Sequence, residues 1–161
     1  MLMIVLSDNT ATNLLLDRLG FDRVNATCRS LGLAHTAVAR RMMDKDARAA
    51  GIENTTTPSD CARLLELMVY RERLSPTSHD LLRDILLRQQ LNDLLPFLMP
   101  EGTRFAHKSG ELPGYRHDSG LLFLEDWVVS VSVMTHWDEQ RLDAVRLLNR
   151  IGKEVHAAFT E

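Results

Sequence analysis

The sequence predicts an α+β fold in which a helical block precedes a short antiparallel sheet and a closing helix. Apolar residues recur at helical spacing through roughly the first hundred residues. From Phe105 onward the apolar period changes to two, as in strands. We therefore expect a helical lobe over residues 1–103, and sheet strands plus a C-terminal helix over 104–161. The apolar stripe of the closing helix consists of Leu142, Val145, Leu148, Ile151 and Val155.

The helical block has recognisable helix starts and stops. A short helix is predicted over residues 11–19, ended by Gly20. Asp22 is placed to cap the next helix, which runs to Leu31. The charged stretch 33–54 shows little periodicity and is interpreted as a long, partly ordered loop.

Two further helices each begin with a hydroxyl residue followed by proline. Thr57-Pro58 and Ser75-Pro76 suit an N-cap and the first helical position. The predicted buried faces are Leu64, Leu67 and Met68 in the first helix and Leu81, Leu82, Ile85 and Leu86 in the second.

The sheet is predicted from alternating residues. Segments 120–124 and 127–135 read as two strands joined by Glu125-Asp126, and a third strand carries Lys108. Asp138 is placed to cap the closing helix. One face of the 127–135 strand is expected to be apolar, formed by Trp127, Val129, Val131 and Val133, and the other to carry Ser130 and Ser132.

Composition argues against several classes of function. The 161 residues carry a net charge of -3, which gives no reason to expect nucleic acid as a partner, since phosphate binding favours a basic surface. No apolar run is long enough for a membrane span, and no signal peptide is recognisable, so localisation stays unknown. Cys28 and Cys61 match no metal or redox spacing and are expected to be free thiols. Six scattered histidines imply no metal, and nothing implies an organic cofactor.

Two short motifs are candidates for chemistry. Ser7-Asp8-Asn9 stands directly before a helix, and Lys108-Ser109-Gly110 follows about one hundred residues later at the end of a strand. Taken singly, the first is a plausible helix N-cap, and the second a protective lysine on an edge strand. Both motifs together, in this order, favour the two walls of one cleft.

With these motifs the chain resembles the class A serine β-lactamases and penicillin-binding proteins, whose Ser-Asp-Asn and Lys-Thr-Gly elements follow the same order. Asn54-Thr-Thr-Thr-Pro58 looks like the segment after their Ω loop. The segment 105–110, followed by a hairpin and a final helix, matches their closing layout. The similarity covers essentially the whole chain except residues around 36–53. It implies the C-terminal part of a β-lactamase/transpeptidase-like fold.

The resemblance also implies roles for the first motif and its lysine. Ser7 would pass a proton to the leaving nitrogen as the lactam or peptide bond opens, and Lys108 would supply a fixed positive charge beside it. Asn9 would place its amide against the acyl side chain of the substrate. Asp8 would hold the turn through backbone hydrogen bonds.

The second motif and the following strand would bind the substrate. Ser109 would hydrogen-bond the substrate carboxylate beside Gly110, and the backbone N–H of Glu111 would form half of an oxyanion hole. The arginine that the family places on the next strand has no clean counterpart, so Arg116 and His117 are both candidates for its role. His117 could also pair with Asp118, but neighbouring strand residues point to opposite faces, which favours a structural or substrate-binding histidine.

The chain departs from the family at its nucleophile. No serine is followed by lysine three residues later, so the Ser-x-x-Lys motif of the family is absent from these residues. The opening apolar segment 1–6 reads as the inside of a helix whose start lies upstream. The Glu-x-x-Leu-Asn element is also absent, and the acids of that region are Asp44, Asp46 and Glu53.

Three functions remain open from the sequence. The first is hydrolysis of a β-lactam or related amide or ester through an acyl-serine, with this chain inactive alone. It includes a penicillin-binding-protein-like DD-peptidase or esterase that deacylates slowly. The second is a non-catalytic binding or interaction module of the same fold. The third is an unrelated α+β domain. Because the family completes its sheet with upstream strands, the 127–135 strand is expected to be an open edge that pairs with a complementary segment, a second copy or a swapped element.

Overall fold

A computed structural model describes residues 1–71, 73–137 and 141–160. It contains a helical lobe followed by a three-stranded sheet and a long final helix. In chain order the elements are α1 Leu2–Val5, α2 Asn9–Leu19, α3 Phe21–Ser30, α4 Lys45–Ala49, α5 Pro58–Val69, α6 Pro76–Leu87, a 3₁₀ helix Leu95–Leu98, β1 Arg104–Leu112, β2 Tyr115–Phe123, β3 Val128–His136 and α7 Arg141–Ala158.

Side-chain caps explain where the main helices begin. Thr57 and Ser75 cap α5 and α6 as predicted. The Thr57 hydroxyl accepts the Asp60 N–H at 3.1 Å, and the Ser75 hydroxyl accepts the Ser78 N–H at 3.2 Å. The helix predicted over 11–19 starts two residues earlier, because Asp8 is its cap. The prediction that Asp22 caps α3 is wrong: Gly20 holds that position and Asp22 lies in the first turn, where its charge suits the helix dipole.

The stretch 33–54 is more ordered than predicted, because asparagine side chains replace regular secondary structure. Asn25 donates to the Val38 carbonyl at 2.9 Å and accepts from the Val38 amide at 2.8 Å. Asn13 forms the same pair of bonds with Met42, donating to its carbonyl at 3.1 Å and accepting from its N–H at 2.8 Å. The segment also includes α4, which the irregular apolar pattern did not reveal.

The sheet is antiparallel in the order β1-β2-β3. The first hairpin turns through Pro113 and Gly114, and Gly114 has a φ of +81°, which favours glycine there. β2 begins at Tyr115, five residues before the predicted start. Trp127 lies before β3 and is 58% exposed, so the prediction that it belongs to the apolar face of this strand is wrong.

Two apolar layers enclose the sheet. On one face, α7 and the 3₁₀ helix pack against a layer that includes Val131 of β3. Val129 and Val133, which were predicted to share a face with Val131, pack against the same layer. On the other face α5 and α6 pack, as the contact of the Ser130 hydroxyl with the Ala62 carbonyl at 3.5 Å illustrates. The first layer consists of Leu94, Leu95, Phe105, Leu122, Val131 and Leu148, and the second of Leu65, Met68, Leu86, Ala106 and Leu121.

Some predicted buried positions differ from those observed. Val145, Leu148, Ile151 and Val155 of α7 pack in the first layer as predicted. Leu64 and Leu81 are exposed at 43% and 60%, because the helices turn the adjacent residues Leu65 and Leu82 toward the second layer instead. Leu86 is buried as predicted. The predicted cap Asp138 and the side chain of Leu142 lie outside the described residues.

Cys28 and Cys61 are free, half-buried thiols, as predicted. Among the described residues no helix has the length and apolar character needed to cross a lipid bilayer. Within the same ranges, His, Cys, Asp and Glu form no group of three or more able to hold a metal ion.

Candidate active site

Ser7 lies in the tight turn between α1 and α2. Its φ is +54°, a left-handed conformation that is strained for a residue other than glycine. The following residue holds the turn from both sides, since Asp8 accepts the Ala11 N–H at 2.6 Å and donates its own N–H to the Leu2 carbonyl at 3.3 Å. These two hydrogen bonds of Asp8 fix the backbone that positions the half-buried Ser7 side chain.

Lys108 reaches Ser7 from the middle of β1. Its Nζ donates to Ser7 Oγ at 2.8 Å and also to the Ser109 carbonyl. Burial lowers the pKa of Lys108 below its ordinary value, and the negative charge of Asp118 partly offsets this. An ammonium from the sheet and a hydroxyl from the helical lobe thus meet, although they are separated by about one hundred residues of sequence.

This contact lies between two clefts. One has a volume of about 500 Å³ and the other of about 460 Å³. Ser7 and Asn9 form one wall of both clefts, and β1 forms the opposite wall. The β1 residues that line both clefts are Ser109, Gly110 and Glu111. All residues predicted from the two motifs to touch substrate therefore surround one region of the surface.

Arg116 lines the larger cleft but is only 2% exposed. Its guanidinium pairs with Glu111, donates to the Tyr115 carbonyl at 3.1 Å and lies over the Trp137 ring at 5.4 Å. Its buried Nε has no hydrogen-bond partner among the described residues. Arg116 is thus present at the cleft, with both of its terminal guanidinium nitrogens hydrogen-bonded within the protein.

His117 lines the smaller cleft and is half-buried. Burial lowers the pKa of His117 below its ordinary value, while the Arg116 carbonyl, 2.8 Å from Nδ1, opposes the change. The ring does not pair with the adjacent Asp118, whose carboxylate bonds elsewhere. Both candidates for the missing arginine therefore flank β1, one at each cleft.

Sequence reasoning missed a buried polar chain beside this site. Asp118 Oδ1 lies 2.8 Å from His107 Nδ1, and His107 Nε2 lies 2.9 Å from Asn92 Oδ1. His107 belongs to neither motif, although it directly precedes Lys108 and is buried. A histidine that follows two apolar residues in a strand was the available signal.

The role of Asp8 can be tested by its effect on stability. Asp8→Ala is expected to lower the free energy of unfolding by about 1 kcal/mol, since it removes the side-chain cap of α2. Asp8→Asn keeps an acceptor oxygen and is the control, expected to stay within about 0.5 kcal/mol of wild type. Urea unfolding followed by circular dichroism measures both. Equal destabilisation by the two variants would contradict the capping role.

Comparisons with known proteins agree with this geometry. The sequence matches the beta-lactamase enzyme family over residues 1–159. It is similar to the solved structure of PBP-A, with 33% identity, a TM-score of 0.87 and coverage of 98% of this chain and 58% of that chain. A variant of PBP-A, described as an acyl-enzyme complex with penicillin G, gives 32% identity and a TM-score of 0.85 over the same shares. The comparison with curated proteins finds no match.

A further similar structure is an ancestral class A β-lactamase (GNCA), with 29% identity, a TM-score of 0.88 and coverage of 98% of this chain and 63% of that chain. The chain therefore spans less than two thirds of the length of these solved structures. The fold is the one expected from the resemblance, with its helical lobe, antiparallel sheet and closing helix. Together with the family match over nearly every residue, this shows that the chain belongs to the beta-lactamase enzyme family.

Proposed function

We propose that these residues form the substrate cleft and the proton-transfer half of a serine β-lactamase-type hydrolase. The substrate would be a β-lactam or a related amide or ester, opened through an acyl-serine. The observation that carries the proposal is the 2.8 Å hydrogen bond between Lys108 Nζ and Ser7 Oγ at the junction of two clefts. The reported complex of the PBP-A variant with penicillin G supports the choice of substrate class.

In this proposal Ser7 and Lys108 move the proton that the reaction requires. When the acyl bond breaks, the leaving nitrogen needs a proton, and the Ser7 hydroxyl can deliver it. Lys108 stabilises the negative charge that develops on Ser7 Oγ during the transfer and returns a proton afterwards. Burial lowers the pKa of Lys108, which makes proton donation by its ammonium less costly.

The remaining cleft residues would orient the substrate. Ser109 offers a hydroxyl to its carboxylate, and Asn9, exposed at the start of α2, offers an amide to its acyl side chain. The backbone N–H of Glu111 would serve as one donor of the oxyanion hole, next to Gly110. Arg116 or His117 would add positive charge or a hydrogen bond near the carboxylate.

The acylated serine and its lysine are not among these residues, because no Ser-x-x-Lys occurs in the sequence. Two of the three acids in the region of the absent Glu-x-x-Leu-Asn element also make other contacts. Glu53 Oε2 accepts from Arg40 at 2.6 Å and Glu53 Oε1 lies 3.3 Å from Arg48, while Asp44 caps α4. Slow deacylation, as in a penicillin-binding protein, is therefore the expected behaviour of the assembled enzyme.

The test supplies the missing motif. The 161-residue chain is joined by a flexible linker to the part of PBP-A that it does not cover, which is expected to carry Ser-x-x-Lys. Fluorescent penicillin should then label the linked protein and persist on it, whereas the chain alone should stay unlabelled and leave nitrocefin intact. Labelling of the chain alone would overturn the assignment. A folded linked protein that never labels would instead favour a non-catalytic binding module, the second candidate.

We also propose that the outer edge of β3 pairs with another strand. The described sheet ends at β3, so one side of Val128–His136 has no strand partner among these residues. The helical lobe also exposes Leu14, Leu15 and Leu19 at 65%, 40% and 46%. Open edges and apolar patches of this kind favour association.

The isolated chain is therefore expected to elute from gel filtration as a dimer or larger species and to bind a hydrophobic dye. Val128→Lys places a charge on the open edge and should shift the chain toward monomer. Leu64→Lys is the matched control, since both residues are 43% exposed but Leu64 lies on α5. A monomer that binds no dye would rule out this association.

A further inference from the structure

The buried polar chain next to the cleft links the two lobes that carry Ser7 and Lys108. At its sheet end, the Asp118 carboxylate is fully buried and accepts the Leu95 N–H at 3.1 Å through Oδ2. Its other oxygen lies 2.8 Å from His107 Nδ1. His107 is 1% exposed and stacks on Phe105, with ring centroids 4.8 Å apart. Two strands and the 3₁₀ helix are thereby joined around one carboxylate.

At its other end this row of hydrogen-bonded polar side chains reaches the loop between α6 and the 3₁₀ helix. Asn92 Nδ2 donates to the Gln89 carbonyl at 3.2 Å, which turns its Oδ1 toward His107. A carbonyl oxygen can only accept, so His107 Nε2 is the donor in that 2.9 Å bond. The same loop holds α1, because the Gln89 amide donates to the Ile4 carbonyl at 2.8 Å and the Gln90 N–H to the Val5 carbonyl at 3.2 Å.

This row of hydrogen bonds adjoins both candidate catalytic groups. Its middle residue, His107, directly precedes Lys108 on β1, and the loop at its far end holds α1, which directly precedes the turn that presents Ser7. Its residues are thus placed to position the Ser7–Lys108 contact without touching substrate. Gly120 also fits this arrangement: a Cβ at that position would lie 2.5 Å from His107 Cβ, so β2 leaves the space that the histidine fills.

We propose that His107 and Asp118 are positioning residues for the site: their hydrogen bonds join β1 and β2 to the 3₁₀ helix and to the loop that holds α1. Hydrogen bonds to charged or buried partners are stronger than average and costly to break, so this chain fixes the spacing of the two lobes. The inference relies on the proposed function only for the meaning of Lys108 in catalysis. Its test needs no substrate and no acylation.

The positioning role is tested with Asn92→Ala, which changes no charge and removes an exposed side chain from the loop end of these hydrogen bonds. The Gln90 N–H is shared between the Val5 carbonyl at 3.2 Å and Gln89 Oε1 at 2.9 Å, and the Gln89 amide in turn donates to Ile4. Amide hydrogen exchange of Gln90 therefore reports the junction between the loop and α1, and should accelerate roughly five-fold, the effect of losing about one hydrogen bond. The amide of Leu148, in the core of α7, reports global unfolding. Equal acceleration at Gln90 and Leu148, or none at Gln90, would overturn the positioning role.

Discussion

Lys108→Met is expected to reduce the acylation rate of the linked protein by about 100- to 10,000-fold, the usual contribution of a positioned proton-transfer group. The substitution keeps an unbranched side chain of similar length but removes the ammonium that donates to Ser7 Oγ at 2.8 Å. Without it, the Ser7 hydroxyl loses the charge that favours passing its proton to the leaving nitrogen. Stopped-flow labelling with fluorescent penicillin at pH 7 measures the effect.

The control for this substitution is Lys153→Met. Lys153 is exposed on α7, away from both clefts, and its replacement should leave the acylation rate within about two-fold of wild type. Circular dichroism of both variants verifies that the fold persists. A Lys108→Met protein that acylates at the wild-type rate would remove Lys108 from the mechanism.

Gly152→Ala is expected to destabilise the protein by about 3 kcal/mol or more, although alanine is the better helix former by about 1 kcal/mol. A Cβ on Gly152 would lie 1.9 Å from the Leu95 carbonyl oxygen and 2.7 Å from the Leu95 carbonyl carbon. Both are backbone atoms of the 3₁₀ helix, so no side-chain rotation relieves the clash. α7 must then move away from the 3₁₀ helix, which also carries the amide that donates to Asp118.

Lys153→Ala is the matched control on the same helix, one residue along and exposed to solvent. It should change the free energy of unfolding by no more than about 0.5 kcal/mol. Thermal and urea unfolding of the two variants give the comparison. If Gly152→Ala is as stable as Lys153→Ala, the close packing of α7 on the 3₁₀ helix is disproved.

The sequence was sufficient for features that depend on local pattern. The change of apolar period at Phe105 predicted where helices give way to strands, and Thr57-Pro58 and Ser75-Pro76 predicted two helix starts correctly. The helical and sheet halves of the fold follow from such local preferences. The two motifs predicted which residues line a shared cleft because their spacing matched a known family.

Features that depend on long-range packing were not predictable in this way. Leu64 and Leu81 have the same local pattern as their neighbours, and only the approach of the sheet decides which leucine is buried. The segment 33–54 is held by asparagine side chains whose backbone partners lie 13 to 29 residues away. Likewise, the pairing of His107 with Asp118 depends on the register of β1 with β2, which the sequence does not specify.

A double-mutant cycle on Ser7 and Lys108 tests most directly whether the two side chains act as one unit. The acylation rates of Ser7→Ala, Lys108→Met and the double variant are measured in the linked protein. Since each single change already breaks the same proton path, the double variant should lose about as much rate as either single one. If the two losses instead multiply, Ser7 and Lys108 act independently, and their hydrogen bond is not the basis of the chemistry proposed for this cleft.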